Sequence, residues 1–385
     1  MSKPHLLILS YTDARRDPRV NRQVKYLKQD FQITLAGVAD LGFEDVDFLQ
    51  IKRRAKSKWN QAWIALNLLL RRYAPALGRF FLVDKKQAQG KQFDLILVND
   101  AEPLGLAFEL AKGAPVVFDA HEYYPKEFEH SFLWRLLFQP YMKHLCSKYL
   151  SQCAAITTVS CGIAHAYHQS YGVMPTVVYS APGYQDIQPG EPDPENIKLI
   201  HHGGANPDRC IELMIEMMDY VDKRFTLDLY LVGAGSYWEN LRQMAESRKN
   251  INWREPVPMQ DIPATANRYD VGVYILKPTG FNTTHALPNK FFEFIQARLA
   301  IAVGPSPEMA KIINEHQLGV VAEDFAPQSL GRLLNSLDEK AIYKFKENSD
   351  VVACKFSAQA SMQVMRGVLN DVLACSKNIL QQRVN

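Results

Sequence analysis

Short apolar segments rich in β-branched residues alternate with longer stretches of helical periodicity along most of this 385-residue chain. In the first half, these segments are residues 5–10, 31–37, 93–100, 115–120, 154–160 and 176–180. They are apolar on both faces, and most of the gaps between them are long enough for a helix. This pattern indicates parallel strands covered by helices on two sides. We therefore predict a doubly wound α/β domain.

A proline-rich segment interrupts the alternation. Residues 181–196 (APGYQDIQPGEPDPEN) contain four prolines and two glycines, which disfavour helix and sheet and predict an interdomain linker. The alternation resumes with apolar segments at 197–204, 225–235, 269–276 and 299–304, and with helices predicted at 208–221 and 236–247. We therefore predict two Rossmann-like doubly wound domains facing a cleft. The carboxyl ends of the strands would border this cleft, which is where such sheets bind ligands.

The composition excludes several classes of protein. With 47% hydrophobic and 22% charged residues, the chain is predicted to be globular. Its six cysteines show neither CxxC spacing nor a zinc-ligand pattern, which fits a reducing cytosol. The N-terminal apolar run is too short for a signal peptide, and no segment approaches 18 consecutive apolar residues. We therefore expect a cytoplasmic protein without a membrane-spanning helix.

Two basic residues lie where a helix is predicted to start after a strand. Lys290 lies in the first turn of a helix within HALPNKFFEFIQARLAI (285–301), and Arg209 in the first turn of the helix that follows Gly203 and Gly204. Unpaired N–H groups make a helix start partly positive, so a cation there costs a few tenths to about 1 kcal/mol unless an anion binds. Both positions therefore predict a phosphate site.

Both cations also have an ordinary alternative. Lys290 could pair with Glu293, and Arg209 with Asp208 or Glu212, as surface ion pairs. We favour the phosphate site, because both cations follow strand ends of one predicted domain.

A third strand end carries Gly233 and Gly235. This is only G-x-G, without the third glycine of a dinucleotide-binding fingerprint. Nucleotide contact and a simple tight turn both remain open.

Five segments resemble the family 4 retaining glycosyltransferases of the GT-B fold, also known as glycosyl transferases group 1. In chain order they are SYTDARRDPRVNRQVKYL, DAHEYYP, AAITTVS, HHGGANPDRCIELMIEMM and LPNKFFEFIQARLAI. The resemblance implies an enzyme of polysaccharide biosynthesis that moves a sugar from a nucleotide-diphosphate donor to a hydroxyl of a glycan or lipid-linked saccharide.

The resemblance also implies roles for individual residues. Arg209 and Lys290 would bind the diphosphate, Glu293 would bind the ribose hydroxyls, and the backbone of residues 280–288 would contact phosphate or sugar. The family's counterpart of His121 lies against the donor sugar. The remaining donor-binding candidates are Gly203, Gly204, Gly233, Gly235, Asn289 and His285.

Two of these positions depart from the family pattern. The family usually has a glutamate where this chain has His285, and commonly an arginine at the position of Gly204. These departures keep open a non-catalytic nucleotide-sugar-binding protein or partner subunit of the same fold. A nucleotide-sugar epimerase is a further alternative.

Polar residues also follow strand ends of the first predicted domain. His121 and Glu122 would lie at the ligand-binding edge of the sheet, although they and Asp119 could instead satisfy one another. In the first loop, Asp17 and Arg19 could contact an anionic acceptor or the donor phosphate, or belong to a self-paired, solvated turn.

The predicted chemistry requires little besides charge. A nucleoside diphosphate is a good leaving group, so its departure needs stabilisation of negative charge more than a protonating acid. We therefore expect neither a metal site nor a cofactor, with the nucleotide-diphosphate sugar as co-substrate.

A basic segment, residues 52–81, interleaves aromatic and leucine residues, including Trp59 and Trp63, with Lys and Arg. A basic amphipathic stretch of this kind is suited to an anionic membrane surface, which predicts peripheral association with the inner face of the membrane. The alternative is a core-packing helix with a solvated basic face. We expect no nucleic-acid partner, because no binding module accompanies the charge.

The predicted organisation has four parts. The N-terminal acceptor domain covers residues 1–181, the linker 182–196 and the nucleotide-sugar domain 197–356. The resemblance implies that the last helix, within 357–385, crosses back onto the N-terminal domain.

Overall fold

The computed structural model describes residues 3–53, 57–73, 81–83 and 90–384. The chain divides into two compact units. Unit 1 consists of Met1–Val178, Gly280–Asn282 and Met362–Asn385, and unit 2 of Tyr179–Thr279 and Thr283–Ser361.

Unit 1 contains one mostly parallel sheet. Its strands are β1 (His5–Leu9), β2 (Gln32–Gly37), β3 (Val46–Arg53), β4 (Phe81–Val83), β5 (Leu95–Asn99), β6 (Val116–Ala120), β7 (Ala155–Thr158) and β8 (Thr176–Val177). They are arranged in the order β4-β3-β2-β1-β5-β6-β7-β8, with β4 antiparallel to β3. The accompanying helices are α1 (Pro18–Leu27), α2 (Lys58–Leu69), α3 (Leu104–Ala111), α4 (Phe132–Tyr149) and α5 (Cys161–Tyr171).

The sheet of unit 1 has an apolar core on each face. Alternate residues of a strand point to opposite faces, and β1 shows the result: Leu7 and Leu9 belong to one core cluster, whereas Leu6 and Ile8 belong to the other. This arrangement explains why the predicted strands are apolar without a polar alternation.

Unit 2 contains a second, parallel sheet in the order β11-β10-β9-β12-β13-β14. Its strands are β9 (Ile197–Gly204), β10 (Phe225–Val232), β11 (Ile251–Arg254), β12 (Val271–Tyr274), β13 (Ala300–Val303) and β14 (Gly319–Val321). The helices between and after these strands are α6 (Glu212–Met217), α7 (Ser236–Glu246), α8 (Ile262–Ala266), α9 (Phe281–Thr284), α10 (Asn289–Gln296), α11 (Pro307–His316), α12 (Pro327–Asn335) and α13 (Glu339–Ala353). The predicted fold class, two Rossmann-like α/β domains, is confirmed.

The last helix, α14 (Ala358–Val384), begins in unit 2 and continues in unit 1. Its residues Met362, Met365 and Leu369 lie in the same core cluster as Val20 and Val24 of α1. The C-terminal helix is therefore part of the core of unit 1.

The position of α10 depends on a missing side chain in β12. A Cβ atom added to Gly272 would lie 2.4 Å from the ring of Phe294, a distance that no packed side chain tolerates. Gly272 therefore allows the buried Phe294 ring to pack directly on the strand. This close approach determines where α10 places the residues of its first turns.

The described part of the basic segment contains a helix. Within residues 52–81, α2 covers Lys58–Leu69, while residues 54–56 and 74–80 lie outside the described residues. None of the helices described combines the length and apolar character needed to cross a membrane.

Candidate functional site

Lys290 is the second residue of α10, as predicted. Pro288 precedes the helix in an extended conformation, and no side chain caps the first turn. The helix start is therefore partly positive, and a partly buried lysine adds to that charge.

The Lys290 side chain is held by two ring systems. Its Nζ donates a hydrogen bond to Nε2 of His201 at 2.9 Å and lies 4.4 Å from the centroid of the Tyr274 ring. Gly203 makes room for it, since an added Cβ would lie 3.2 Å from Lys290 Nζ. The φ angle of 123° at Gly203 is a further reason for glycine there.

Arg209 reaches the same tyrosine. Its Nη1 donates to the hydroxyl of Tyr274 at 3.3 Å. Neither of the predicted surface pairs of Arg209 forms among the described residues, and the carboxylate of Glu212 instead accepts from the hydroxyl of Tyr237. Two cations thus converge on Tyr274, a buried residue at the end of β12.

The helix predicted at 208–221 is wrong in its boundaries. Residues Pro207–Arg209 form a separate 3₁₀ turn, capped by the Asn206 side chain, which accepts from the N–H of Asp208. Cys210 then adopts a left-handed conformation with φ 49°, and α6 begins only at Glu212. Arg209 therefore lies in a turn, and the prediction that it lies in the first turn of an α-helix is wrong.

The protonation of this cluster is strongly perturbed. Burial lowers the pKa of Lys290 well below its ordinary value, Arg209 lowers it further, and Glu293 acts in the opposite direction. Burial and then Lys290 likewise hold the pKa of His201 well below its ordinary value. His201 is therefore neutral, and the two cations Lys290 and Arg209 lie near an uncharged ring.

Glu293 lies buried, on the turn of α10 that follows Lys290. Its Oε2 is 3.5 Å from Nε2 of His202, whose ring packs edge-on against Phe294. Burial and then Lys290 lower the pKa of His202 to about 3. The buried Nε2 of His202 makes no hydrogen bond to any described residue.

A small apolar cavity of about 50 Å³ lies beside His202 and Gly203. Side chains of β9, β10 and the segment after β11 line it, including Ile200, Tyr230, Val232, Val257 and Ile262. This volume is well below the roughly 150 Å³ of a cavity that binds benzene, so the cavity is too small for an aromatic ring.

The other predicted donor-binding residues differ in their surroundings. Gly204 ends β9 and is exposed, and Gly235 precedes α7 with φ 88°. Gly233 has a packing role, because an added Cβ would lie 2.7 Å from the Trp238 ring. Asn289 is the first residue of α10.

His285 is paired with an acid. Its Nδ1 lies 3.1 Å from Oε1 of Glu308, a buried residue in the first turn of α11. The position where the resembled family usually has a glutamate therefore carries an imidazole held by a neighbouring carboxylate.

His121 in unit 1 lies among acids. Its Nδ1 is 3.2 Å from Oδ1 of Asp100, and its Nε2 is 3.0 Å from Oδ1 of Asn99. Burial alone would lower the pKa of His121, but Asp100 and Asp119 outweigh it and raise the pKa above its ordinary value. His121 is thus a half-buried histidine that favours the protonated form.

Glu122 and part of the 280–288 loop meet within unit 1. The Glu122 carboxylate accepts from Nδ2 of Asn282 at 3.2 Å, and the N–H of Tyr123 donates to Oδ1 of Asn282 at 2.8 Å. The N–H of Phe281 donates to the carboxylate of Glu129 at 2.5 Å. The start of the loop is therefore anchored by unit 1 side chains.

The prediction that Arg19 faces an acceptor or the donor phosphate is wrong. Arg19 is buried and donates two hydrogen bonds of 2.6 Å to Asp119 and one of 3.0 Å to the carbonyl of Val178. Burial alone would raise the pKa of Asp119, but Arg19 and His121 hold it well below its ordinary value. The pair holds α1 against β6.

Asp17 also has a structural contact. Its carboxylate caps α1 by accepting from the N–H groups of Arg19 and Val20, and it accepts from the hydroxyl of Thr12 at 2.8 Å. Arg15 pairs with Asp13 on the surface. The self-paired alternative for this turn therefore describes its contacts better than an acceptor site does.

Residues 25–181 match the sequence model of Glycosyltransferase Family 4, a stretch that lies almost wholly in unit 1. This match shows that residues 25–181 are similar to the family 4 glycosyltransferases. No curated protein sequence matches it significantly.

Several solved structures share the fold of this chain. Anabaena HepE in complex with UDP-glucose is 14% identical, with a TM-score of 0.69 over 96% of this chain and 100% of that chain. Trehalose 6-phosphate synthase of Burkholderia multivorans is 10% identical, with a TM-score of 0.67 over 99% of each chain. WaaG, a glycosyltransferase involved in lipopolysaccharide biosynthesis, is 11% identical, with a TM-score of 0.62 over 92% of this chain and 98% of that chain.

The site contains residues that sequence reasoning did not assign. His201 and His202 were given no role, and Tyr274 was not singled out. The available signal was a polar pair, His-His, placed directly before the glycine turn of a buried strand. In the folded chain both histidines contact or approach residues of α10.

The buried pair in unit 1 gives the first prediction. Replacing Arg19 by Met should destabilise the protein by about 3–5 kcal/mol, because Asp119 is left as an uncompensated buried charge. Urea unfolding followed by circular dichroism measures the effect. The matched control is Arg15→Met in the same loop, which should leave the unfolding midpoint unchanged. Equal midpoints for both variants would refute a structural role for the Arg19–Asp119 pair.

Proposed function

We propose that the chain transfers a hexose-type sugar from a nucleoside-diphosphate sugar to a hydroxyl of a glycan or lipid-linked saccharide. The observation that carries the proposal is the convergence of Arg209 and Lys290 on Tyr274 at the strand ends of unit 2. Since no described carboxylate forms an ion pair with either cation, a diphosphate is the complementary ligand.

The diphosphate would be the leaving group. When the bond between the sugar C1 and the phosphate oxygen breaks, negative charge develops on the diphosphate, and Arg209, Lys290 and the start of α10 stabilise it. For a retaining reaction, the acceptor hydroxyl approaches on the same face and its oxygen bonds to C1. Its proton passes to a phosphate oxygen. This route needs no metal ion.

The rest of the nucleotide has a matching surface in unit 2. Glu293 and the buried Nε2 of His202 would bind the ribose hydroxyls. The Gly203–Gly204 turn would allow close approach of the phosphates. Because HepE is described with UDP-glucose, UDP and UDP-glucose are the first ligands to test.

Other predicted residues keep a proposed substrate role. His121, whose pKa is raised, would act on the donor sugar through the positive charge of its ring. His285 and Asn289 would contact the donor near the start of α10, with Glu308 holding His285 in place.

A ligand panel tests the diphosphate site. In a thermal-shift panel of UDP, GDP, ADP and their sugars, we expect one preferred nucleotide. A ligand at a hundred times its Kd stabilises the folded protein by about 2.7 kcal/mol, so the preferred nucleotide should raise the melting temperature most. Lys290→Met and Arg209→Met should each weaken diphosphate binding at least about tenfold, because each loses a charge-assisted hydrogen bond of about 1.5–3 kcal/mol. Isothermal calorimetry measures the affinities.

The control is Lys277→Met, which removes an exposed lysine just after β12 and should leave affinity unchanged. Equal weakening by all three variants would indicate general charge attraction and count against this site. Transfer itself requires acceptor-dependent release of the nucleoside diphosphate. Tight donor binding without turnover would favour a non-catalytic binder, and donor conversion without acceptor would favour an epimerase.

The lowered pKa of Lys290 predicts a pH dependence. A bound diphosphate favours the protonated lysine and raises its pKa, so binding takes up a proton. Affinity should therefore be greatest below the free-state pKa and fall as pH rises through it, toward the ordinary lysine value of about 10.4. Calorimetry from about pH 7 upward avoids most of the titration of the terminal phosphate near pH 6.

Lys290→Arg provides the matched control for this titration. A guanidinium stays protonated throughout this range, so the affinity of the variant should be nearly constant with pH. A parallel decline in wild type and Lys290→Arg would assign the pH effect to another group.

We further propose that unit 1 binds an anionic membrane surface, where a lipid-linked acceptor would be found. Helix α2 exposes Trp59 (89%), Leu66 and Leu69, and residues 57–73 contain no acid. Three cations, Lys58, Arg71 and Arg72, lie exposed on the same segment. Apolar side chains with flanking cations are the combination that an anionic bilayer attracts.

The neighbouring helix α4 extends this surface. Tyr73, just after α2, packs against Tyr141 and His144 of α4. Helix α4 exposes Phe132 (68%) and Leu133 (66%). Its exposed cations are Arg135, Lys143 and Lys148, and it too contains no acid. We therefore propose a two-helix docking surface.

Flotation with lipid vesicles tests this surface. Trp59→Ser combined with Phe132→Ser should reduce binding to phosphatidylserine-containing vesicles by about tenfold or more, because each removes about 1.5–3 kcal/mol of apolar burial. Neutral vesicles should bind wild type weakly, and salt should weaken binding. The control is Val351→Ser, which removes an equally exposed apolar residue (80%) of α13. Undiminished binding of the double variant would exclude this docking surface.

A further inference from the structure

His201 makes two hydrogen bonds although it is completely buried. Its Nδ1 lies 2.9 Å from the carbonyl oxygen of Val273, and its Nε2 lies 2.9 Å from Nζ of Lys290. A carbonyl only accepts hydrogen bonds, so Nδ1 carries the proton. Nε2 is left with a lone pair that accepts from Lys290. The backbone of β12 thus selects the tautomer that holds the lysine.

A neutral acceptor is well suited to a lysine that binds an anion. A carboxylate at this position would form an ion pair with Lys290 and compete with a phosphate for it. The imidazole fixes the direction of the side chain and leaves its charge uncompensated. Burial, followed by Lys290, keeps the pKa of His201 well below its ordinary value, so the ring adds no positive charge to the cluster.

Restricting the Lys290 side chain before a ligand binds lowers the entropy cost of binding. A free lysine side chain has about 2 kcal/mol of rotamer entropy, part of which is lost when it is fixed on a ligand. In this site His201 and the Tyr274 ring restrict Lys290 before any ligand arrives, and Gly203 leaves no side chain in its path. Preorganised donors of this kind stabilise charge that develops during a reaction.

We propose that His201 is a positioning residue that presets Lys290 for the diphosphate of the donor. The inference rests on the proposed function, since it assumes that Lys290 meets a diphosphate. It goes further by assigning the preset geometry to a histidine that touches no substrate.

Two amide variants separate the two hydrogen bonds of the ring. In His201→Asn the short amide remains near Val273 but does not reach Lys290. In His201→Gln the longer side chain places an acceptor close to the position of Nε2. With UDP as the probe, the Asn variant should bind about tenfold more weakly, as expected for the loss of one charge-assisted hydrogen bond, whereas the Gln variant should bind within about twofold of wild type.

UMP provides the matched ligand control. Because UMP lacks the second phosphate, the ratio of UDP affinity to UMP affinity should fall in His201→Asn and be restored in His201→Gln. A change in general stability would affect both ligands and both variants alike. In the Lys290→Met background, His201→Asn should cause no further loss of UDP affinity, because the group that it positions is absent.

The outcomes distinguish this inference from the proposed function. If wild type binds UDP and Lys290→Met does not, but His201→Asn binds like wild type, the positioning role is refuted and the diphosphate site stands. If neither UDP, GDP nor ADP binds wild type, the proposed function fails and this inference fails with it. Should His201→Asn not fold, His201→Phe keeps a ring against Tyr274 without an acceptor nitrogen, and it should show the same loss of UDP affinity. Wild-type affinity in His201→Phe would refute the inference.

Discussion

The close packing of α10 against β12 determines the geometry of the candidate site. Phe294 rests on Gly272 with no intervening Cβ, and Phe291, Phe292 and Ile295 are buried with it. The helix therefore has no freedom to shift along the strand, since protein interiors are closely packed. As a result, Lys290 and Glu293 occupy fixed positions, as the second and fifth residues of α10. Apolar packing in the core is thus what places the charges.

Comparison of two charged clusters shows how burial distinguishes structure from function. Arg19 and Asp119 are both buried, neutralise each other and satisfy their hydrogen-bonding groups internally. Among the described residues, Lys290 donates its hydrogen bond to neutral His201 and lies over the Tyr274 ring, and Arg209 donates to the Tyr274 hydroxyl. The first arrangement is complete without a ligand. The second arrangement leaves a cation at strand ends whose pKa is lowered first by burial and then by Arg209. This state is unfavourable for the free protein, and an anion would relieve it.

Sequence patterns predicted the buried parts of the fold better than its edges. Strands such as β5 and β6 are buried along their whole length and were recognised as continuous apolar runs. Strand β4 was not predicted, and neither were β3, β11 and β14. They lie at or next to a sheet edge, where some residues face solvent and the apolar run is broken. The 208–221 helix was placed too early because the left-handed residue Cys210 carries no signal such as glycine.

Predicting the site required knowledge of partners that are distant in sequence. Lys290 was recognised because its position at a helix start is unfavourable without an anion, a local property that the sequence contains. Arg19 was misassigned because its partner, Asp119, is 100 residues away, and an arginine in a polar loop is ordinarily exposed. His201 was missed for the same reason, since its roles depend on contacts with Val273 and Lys290. A charged residue therefore indicates function only when the elements packed around it leave its charge uncompensated, and that condition becomes visible only in the folded chain.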